Sequence, residues 1–291
     1  MPTRTVSQGF EEFHRRLVPS GTESEAAKSH RASIEACLKA NFGLLRFFRS
    51  GSFGNGTSIR NHSDVDYFAS LPDASIMPSS SATLADVAAA LRARFPNTSG
   101  IRVDSPAVVV PFGSDASETT EVIPADLVNS DGPFVYRIAD GSDGWMLSSP
   151  QAQNDYVREI DDRRKGKARP LIRFLKAWKY YRNVPISSFH LELVAAKHAA
   201  GESTIIYPWD VRDVFAKLWD TRLAAVEDPA GKSGKVFACR TTLQKEEALG
   251  KVDSARMRSK WAKESEDEGD VAAAFRWWDT VYDGKFPSHN Y

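Results

Sequence analysis

Cysteine is nearly absent from this 291-residue chain: there are two, Cys37 and Cys239, about 200 positions apart and without metal-ligand spacing. That excludes a disulfide framework and a zinc module, and it suits a reducing compartment. Excess charge is missing too, because 38 Lys and Arg balance 38 Asp and Glu. Proteins that grip duplex nucleic acid draw most of their affinity from phosphate neutralisation and carry a basic surplus. The balance therefore argues against an architectural nucleic-acid binder, and against obligate activation by long DNA or RNA. No apolar run approaches the roughly 20 residues of a membrane span. The opening MPTRTVSQGFEEFHRRL has no signal-peptide core. A soluble, cytoplasmic protein without a membrane partner is expected.

What is present is ordinary globular composition, 42% hydrophobic, 26% charged and 11% aromatic. It is enough chain for a full core. Apolar periodicity predicts helices over 7–17 and 22–40, then a short apolar segment from Leu44 to Phe48 that runs into GSFGNG. DVDYFASL reads as a strand ending at Pro72, and the serines at 79–81 start a helix that Pro96 stops. AVVVP (107–111) and TTEVI (119–123) read as strands joined by a hairpin-type connection. Residues 130–150, rich in Gly, Ser, Pro and Asp, are the expected linker or loop region. Beyond them the texture is helical, over 153–164, 168–182, 187–200, 209–226, 240–264 and 268–282. The division expected is an α/β half, 1–150, followed by an all-helical half, 151–291.

Chemistry concentrates in GSFGNGTSIRNHSDVD, residues 51–66. Asp64 and Asp66 are two apart in an apparent strand, so both carboxylates project from one face. Such a pair repels itself unless a cation lies between the charges, and hard oxygen ligands suit Mg²⁺. Upstream, Gly51 permits close backbone approach to a ligand and Ser52 offers a hydroxyl to a phosphate oxygen. A helix starting near Thr57 is expected to aim its N-terminal amides at the same place. A second informative stretch is RPLIRFLKAWKYYRNVPISSFHLELV, residues 169–194. There Leu171, Phe174, Leu175 and Trp178 form a buried helical face, Arg169, Arg173, Lys176 and Lys179 add charge, and Ser187 and Ser188 can cap the next helix. His190, beside that cap, is given no chemistry. GKSGK (231–235) lacks the earlier glycine of a P-loop. The basic run RRKGKAR (163–169) reads as a solvated turn, with nucleic-acid contact as the alternative.

The Gly-Ser turn followed by a paired-Asp strand resembles the nucleotidyltransferase signature of the DNA polymerase β-like superfamily. The wider pattern resembles the bacterial CD-NTases, relatives of cyclic GMP–AMP synthase and oligoadenylate synthase. That resemblance implies an α+β fold: a polymerase β-like core with a mixed sheet, a C-terminal all-helical domain, and an active site in the cleft between them. It also implies a third carboxylate in TTEVIPADLV, where the family strand reads Asp-hydrophobic-hydrophobic-Pro-Ala. Glu121 falls at that Asp, and Asp126, beyond the proline, is the competing carboxylate. By the same resemblance Asp64, Asp66 and Glu121 hold two Mg²⁺ (or Mn²⁺) ions, Lys176 contacts the donor triphosphate with Ser52, Ser188 bonds a phosphate, and Phe189 stacks on a base. The implied activity joins NTPs into a cyclic di- or trinucleotide messenger with release of pyrophosphate. The implied setting is phage defence, through a downstream effector that the product switches on, with the enzyme a monomer. Two other readings stay open: a transferase that modifies a protein, small molecule or RNA end, and a catalytically weak nucleotide- or RNA-binding module.

Overall fold

The computed structural model describes residues 3–19, 25–60, 65–113, 118–229 and 232–290. Helices α1 (Val6–Leu17) and α2 (Glu25–Phe42) lead into β1 (Arg46–Arg49) and the five-residue α3 (Gly51–Asn55). Next come β2 (Val65–Leu71), α4 (Ser80–Arg94), β3 (Arg102–Asp104), β4 (Ala107–Phe112) and the long β5 (Glu118–Asn129), followed by β6 (Val135–Ala139) and β7 (Trp145–Ser148). Helices α5 (Pro150–Arg163), α6 (Ala168–Tyr181), α7 (Ser188–Gly201) and α8 (Tyr207–Asp220) follow. The short pair β8 (Val226–Glu227) and β9 (Lys235–Val236) precedes α9 (Thr242–Asp267) and α10 (Val271–Val281).

Seven strands make one mixed sheet, in the order β1-β2-β5-β4-β3, with β6 on the far part of β5 and β7 beyond it. Among the described residues only the β2–β5 pairing of this sheet is parallel. One face of this sheet is apolar because alternate residues of β2, β4 and β5 (Ala69, Leu71, Val108, Val110, Val122) meet Ile34 and Leu38 of α2 and Leu84, Val87 and Leu91 of α4. The period-two alternation then forces Asp66, Phe68, Glu121 and Ile123 onto the opposite face. Ser79 caps α4 by accepting from the Ala82 amide at 3.1 Å, so the serine cluster starts this helix as its position predicts.

The helical elements share a second core. Phe10 and Phe13 of α1 are buried with Phe174, Trp278, Tyr282 and Phe286, and Phe10 sits edge-on to Phe174 at 5.0 Å and to Trp278 at 4.8 Å. Burying each such side chain contributes about 1.5–3 kcal/mol, so the first helix is fastened to the last ones.

Three expectations are corrected. Residues 130–150 are not a linker, because β6 and β7 pair there with Tyr136 opposite Ser148 and Ala139 opposite Trp145. The Gly and Asp residues and Ser130 and Ser142 occupy the turns on either side of β6, Ser148 ends β7 and Ser149 precedes α5, while Val135, Tyr136, Ile138 and Ala139 are buried. The helix expected over 209–226 stops at Asp220, because Arg222 and Leu223 take positive φ (54° and 52°) and turn Leu223 back into the core. Among the described residues no helix starts near Thr57 either. The helix there is α3, and Gly56 ends it in the left-handed conformation with φ 68°.

Candidate active site

Between the open face of the sheet and helices α6 and α7 lies a cavity of about 1310 Å³. It is walled by Gly51, Ser52, Asp66 and Glu121 on the sheet side and by Lys176, Ser188 and Phe189 on the helical side. The structure thus brings together every site residue expected from the sequence except Asp64, which lies outside the described residues. Asp66 and Glu121 are register partners on the parallel strands β2 and β5, so their carboxylates leave the same side of the sheet.

Gly51 shows why this turn requires glycine. Its φ is +54°, and a Cβ there would stand 2.0 Å from Asp66 Oδ2 and 2.7 Å from its Cγ. The Ser50 amide meanwhile donates to the Asp66 carbonyl at 2.9 Å. The turn is therefore bonded to the Asp66 backbone and packed on its carboxylate. Asp126, the competing carboxylate, is not past the end of the strand, since β5 continues through Pro124 to Asn129. It is five residues from Glu121, which puts it on the other face. There it is 5% exposed and accepts from Arg137 Nε at 2.9 Å and again from the same guanidinium.

Sequence reasoning missed the polar network that joins the segment after the Gly-Ser turn to α6 and α7. Glu192, 3% exposed, accepts from Asn55 Nδ2, from Thr57 Oγ1 at 2.7 Å and from Lys176 Nζ at 2.8 Å. Lys176, 2% exposed, donates also to Thr57 Oγ1 at 3.0 Å. A buried ion pair repays its desolvation only with such extra hydrogen bonds, and removing one partner costs about 3–5 kcal/mol. Arg169 Nε bonds the Asn55 carbonyl at 2.8 Å, and Arg173 bonds those of Gly56 and Ser58 at 2.6 and 3.1 Å. The segment following the Gly-Ser turn is thereby nailed to α6 and α7. One signal was available: an acid isolated within the apolar run HLELVAA is a candidate for a buried partner.

Ser187 caps α7, accepting from the His190 amide at 3.3 Å. His190 is 1% exposed with Nε2 at 2.9 Å from the Ala224 carbonyl, and burial lowers its pKa against the opposing pull of that hydrogen bond. The basic run is neither a solvated turn nor a nucleic-acid face throughout. Arg164 bonds the carbonyls of Ala199 and Ala200, both at 2.7 Å, and Lys167 that of Ile205 at 2.9 Å. These cations satisfy carbonyls at and just beyond the end of α7.

The carboxylate pair suits a hard divalent cation, since Asp66 and Glu121 offer oxygen donors from one face and the turn at Gly51 leaves no room for a side chain beside them. Among the described residues no helix is long and apolar enough to cross a membrane.

A mixed sheet with paired acids facing a helical layer across a cleft is the polymerase β-like nucleotidyltransferase fold. The likeness to solved structures agrees. Escherichia coli MS115-1 CdnC, solved with ATP, superposes with a TM-score of 0.76 at 17% identity, covering 97% of this chain and 99% of that one. Vibrio cholerae DncV, solved with the linear intermediate 5′ pppA(3′,5′)pG, gives 0.67 at 15% identity, covering 98% and 86%. Elizabethkingia meningoseptica CdnE, with GTP and Apcpp, gives 0.63 at 21%, covering 88% and 97%. Residues 4–161 match the Second Messenger Oligonucleotide or Dinucleotide Synthetase (SMODS) domain, and the chain belongs to that family of bacterial CD-NTases. A probable cyclic nucleotide synthase of Bacillus cereus is 25% identical over 179 residues, 58% of this chain. The match spans about half, 52%, of that relative's length.

Proposed function

We propose that the protein is a cyclic oligonucleotide synthase, joining NTPs into a cyclic di- or trinucleotide with release of pyrophosphate. The observation that carries this reading is the in-register pair Asp66 and Glu121, with Gly51 packed on Asp66, at the wall of a cavity of about 1310 Å³. Single-ligand pockets run to roughly 300–1,000 Å³, so the volume favours two nucleotides over one. In the reaction a ribose hydroxyl oxygen bonds to the α-phosphorus of the donor, the bond to the bridging oxygen of the β-phosphate breaks, and the hydroxyl proton is released to solvent.

Asp66 and Glu121, with Asp64, would hold Mg²⁺ or Mn²⁺. When bound, two such ions supply charge neutralisation on the triphosphate and acidify the attacking hydroxyl. What the chain itself does is position the reactants, which is most of what phosphoryl transfer asks of a protein. Gly51 lets the backbone approach and Ser52 donates its hydroxyl to a phosphate oxygen. Ser188 does the same from the helical side, where Lys176 brings its ammonium to the wall, and Phe189 stacks on a base. Division of the chain near residue 150 into a nucleotidyltransferase core and a helical domain belongs to the same proposal. So do a cytoplasmic monomer, independence from long nucleic acid, and an anti-phage role exercised through an effector that binds the product.

The test is incubation with all four α-labelled NTPs and Mg²⁺ or Mn²⁺, followed by phosphatase, chromatography and mass spectrometry. Phosphatase-resistant products of cyclic mass, lost in Asp66→Ala, are expected. Label found only on an added acceptor would replace this reading with a transferase, and NTP binding without any turnover would replace it with a binding module.

A further inference from the structure

We propose that His198, Glu202 and Asp210 bind one first-row transition-metal ion, of the Zn²⁺ type, at the junction of α7 and α8. The inference stands apart from the nucleotidyltransferase reading, because none of the three residues lines the cleft. One ligand atom from each side chain lies within 4.8 Å of the other two. His198 belongs to the last turn of α7, and Glu202 follows it by four residues, just past the helix end. Asp210 belongs to the first turn of α8.

The fold holds two of these groups in place. The His198 and Asp210 side chains are 9% and 6% exposed, and His198 Nε2 lies 2.8 Å from Asp210 Oδ1. The other Asp210 oxygen accepts from the Ile206 amide at 2.6 Å. That bond orients the carboxylate as an outer-shell partner orients a metal ligand. Glu202 has no such employment. It is exposed, and among the described residues its carboxylate has no hydrogen-bond or ion-pair partner. Arg164 and Lys167, which pack on this end of α7, donate to the carbonyls of Ala199, Ala200 and Ile205. Two carboxylates this close repel each other unless a cation lies between them.

Tetrahedral zinc holds its nitrogen and oxygen ligands at about 2.0–2.2 Å, hence about 3.3 Å from one another. His198 and Asp210 already stand near that spacing, and the exposed Glu202 side chain has to swing in by at most about 1.5 Å. The imidazole selects the ion, since mixed nitrogen and oxygen donors suit zinc and its neighbours whereas Mg²⁺ takes oxygen alone. One histidine, two carboxylates and a water complete four ligands without any cysteine. The ion replaces the proton between Nε2 and Oδ1. It thereby pins α8 to the C-terminus of α7, the helix whose other end carries Ser188 and Phe189.

The test is Zn²⁺ calorimetry on the metal-free full chain in excess Mg²⁺, with Co²⁺ absorption and thermal melting beside it. The proteins are wild type, Glu202→Gln, His198→Gln and Asp66→Ala. Wild type and Asp66→Ala are expected to bind one Zn²⁺ alike, to show the visible bands of tetrahedral Co²⁺, and to melt higher with zinc. Glu202→Gln spares the His198–Asp210 contact and should weaken zinc by at least about tenfold, because even outer-shell partners are worth about 10–100-fold. His198→Gln should lose the Co²⁺ bands. Equal zinc affinity in Glu202→Gln and wild type would overturn the assignment. So would zinc binding lost only in Asp66→Ala, which would put the ion in the cleft. Wild type that binds no Zn²⁺ would overturn it too, leaving His198 and Asp210 as a hydrogen-bonded pair. None of these outcomes touches the synthase reading, which is judged by its cyclic product.

Discussion

Replacing Gly51 with alanine perturbs one atom at the point where the backbone meets the carboxylate. The added Cβ would lie 2.0 Å from Asp66 Oδ2, 2.7 Å from Cγ and 3.2 Å from Cβ. Ordinary carbon contact is near about 3.5 Å, so the carboxylate must withdraw by about 1.5 Å. Alanine must also hold φ +54°, at a cost of about 1–2 kcal/mol for a left-handed residue. Asp66 escapes the clash by rotating about its Cα–Cβ bond, which limits the total stability loss to about 1–3 kcal/mol. Function has no such escape, because misplacing a reacting group by about 1 Å costs on the order of 100-fold. The expected result is a folded protein, a few degrees less thermostable, with NTP turnover reduced about a hundredfold or more. Product yield per unit of folded protein and a thermal melt measure both quantities. Turnover within a few-fold of wild type would refute the argument that this contact sets the carboxylate. Loss of turnover only in step with loss of folded protein would refute it equally.

Two further outcomes separate structural from reacting groups. Asp126→Asn removes the charged acceptor of Arg137 on the far face of the sheet and should cost about 1–3 kcal/mol of stability with turnover unchanged. Glu121→Gln should do the reverse, and a folded but inactive Asp126→Asn protein would transfer the third carboxylate to Asp126. The pH dependence of stability should carry the mark of His14. Its pKa falls from 6.5 to about 4, first because of burial and then because of the neighbouring Arg173, whose Nη1 lies 3.0 Å from His14 Nε2. Between pH 6.5 and about 4 the unfolded chain therefore binds a proton that the native state refuses. Stability from this group is whole above pH 6.5 and declines as the pH falls toward 4. Urea midpoints at pH 7 and pH 5 should show the decline, and His14→Gln, which still offers Arg173 an acceptor, should flatten it. An unaltered difference in that variant would discard His14 as the source.

Several parts of the molecule are legible one residue at a time. Asp66 and Phe68 fall on one face of a strand, and Leu171, Phe174, Leu175 and Trp178 on one face of a helix, because side-chain direction repeats with a fixed period. Ser79 and Ser187 announce the helices they cap for a similarly local reason. Strands β6 and β7 escaped because their turns carry the glycines and serines, while the evidence that they are strands is the pairing of Tyr136 with Ser148 across the hairpin. The register that sets Glu121 beside Asp66 joins residues 55 positions apart on different strands. Periodicity within one strand contains no information about which residue of its neighbour stands opposite.

The sequence by itself determined the turn-and-acid motif and the family resemblance, since each rests on spacing along the chain or on residue type. Only the tertiary structure decided that Asp126 faces away from the cleft, that Lys176 has its charge met by Glu192, and that His198 and Glu202 stand with Asp210. Asn55 and Thr57 reach Glu192 across 137 and 135 positions of chain. Such contacts are fixed when two layers pack and a buried charge must find its partner or stay unburied, and local patterning does not encode that choice.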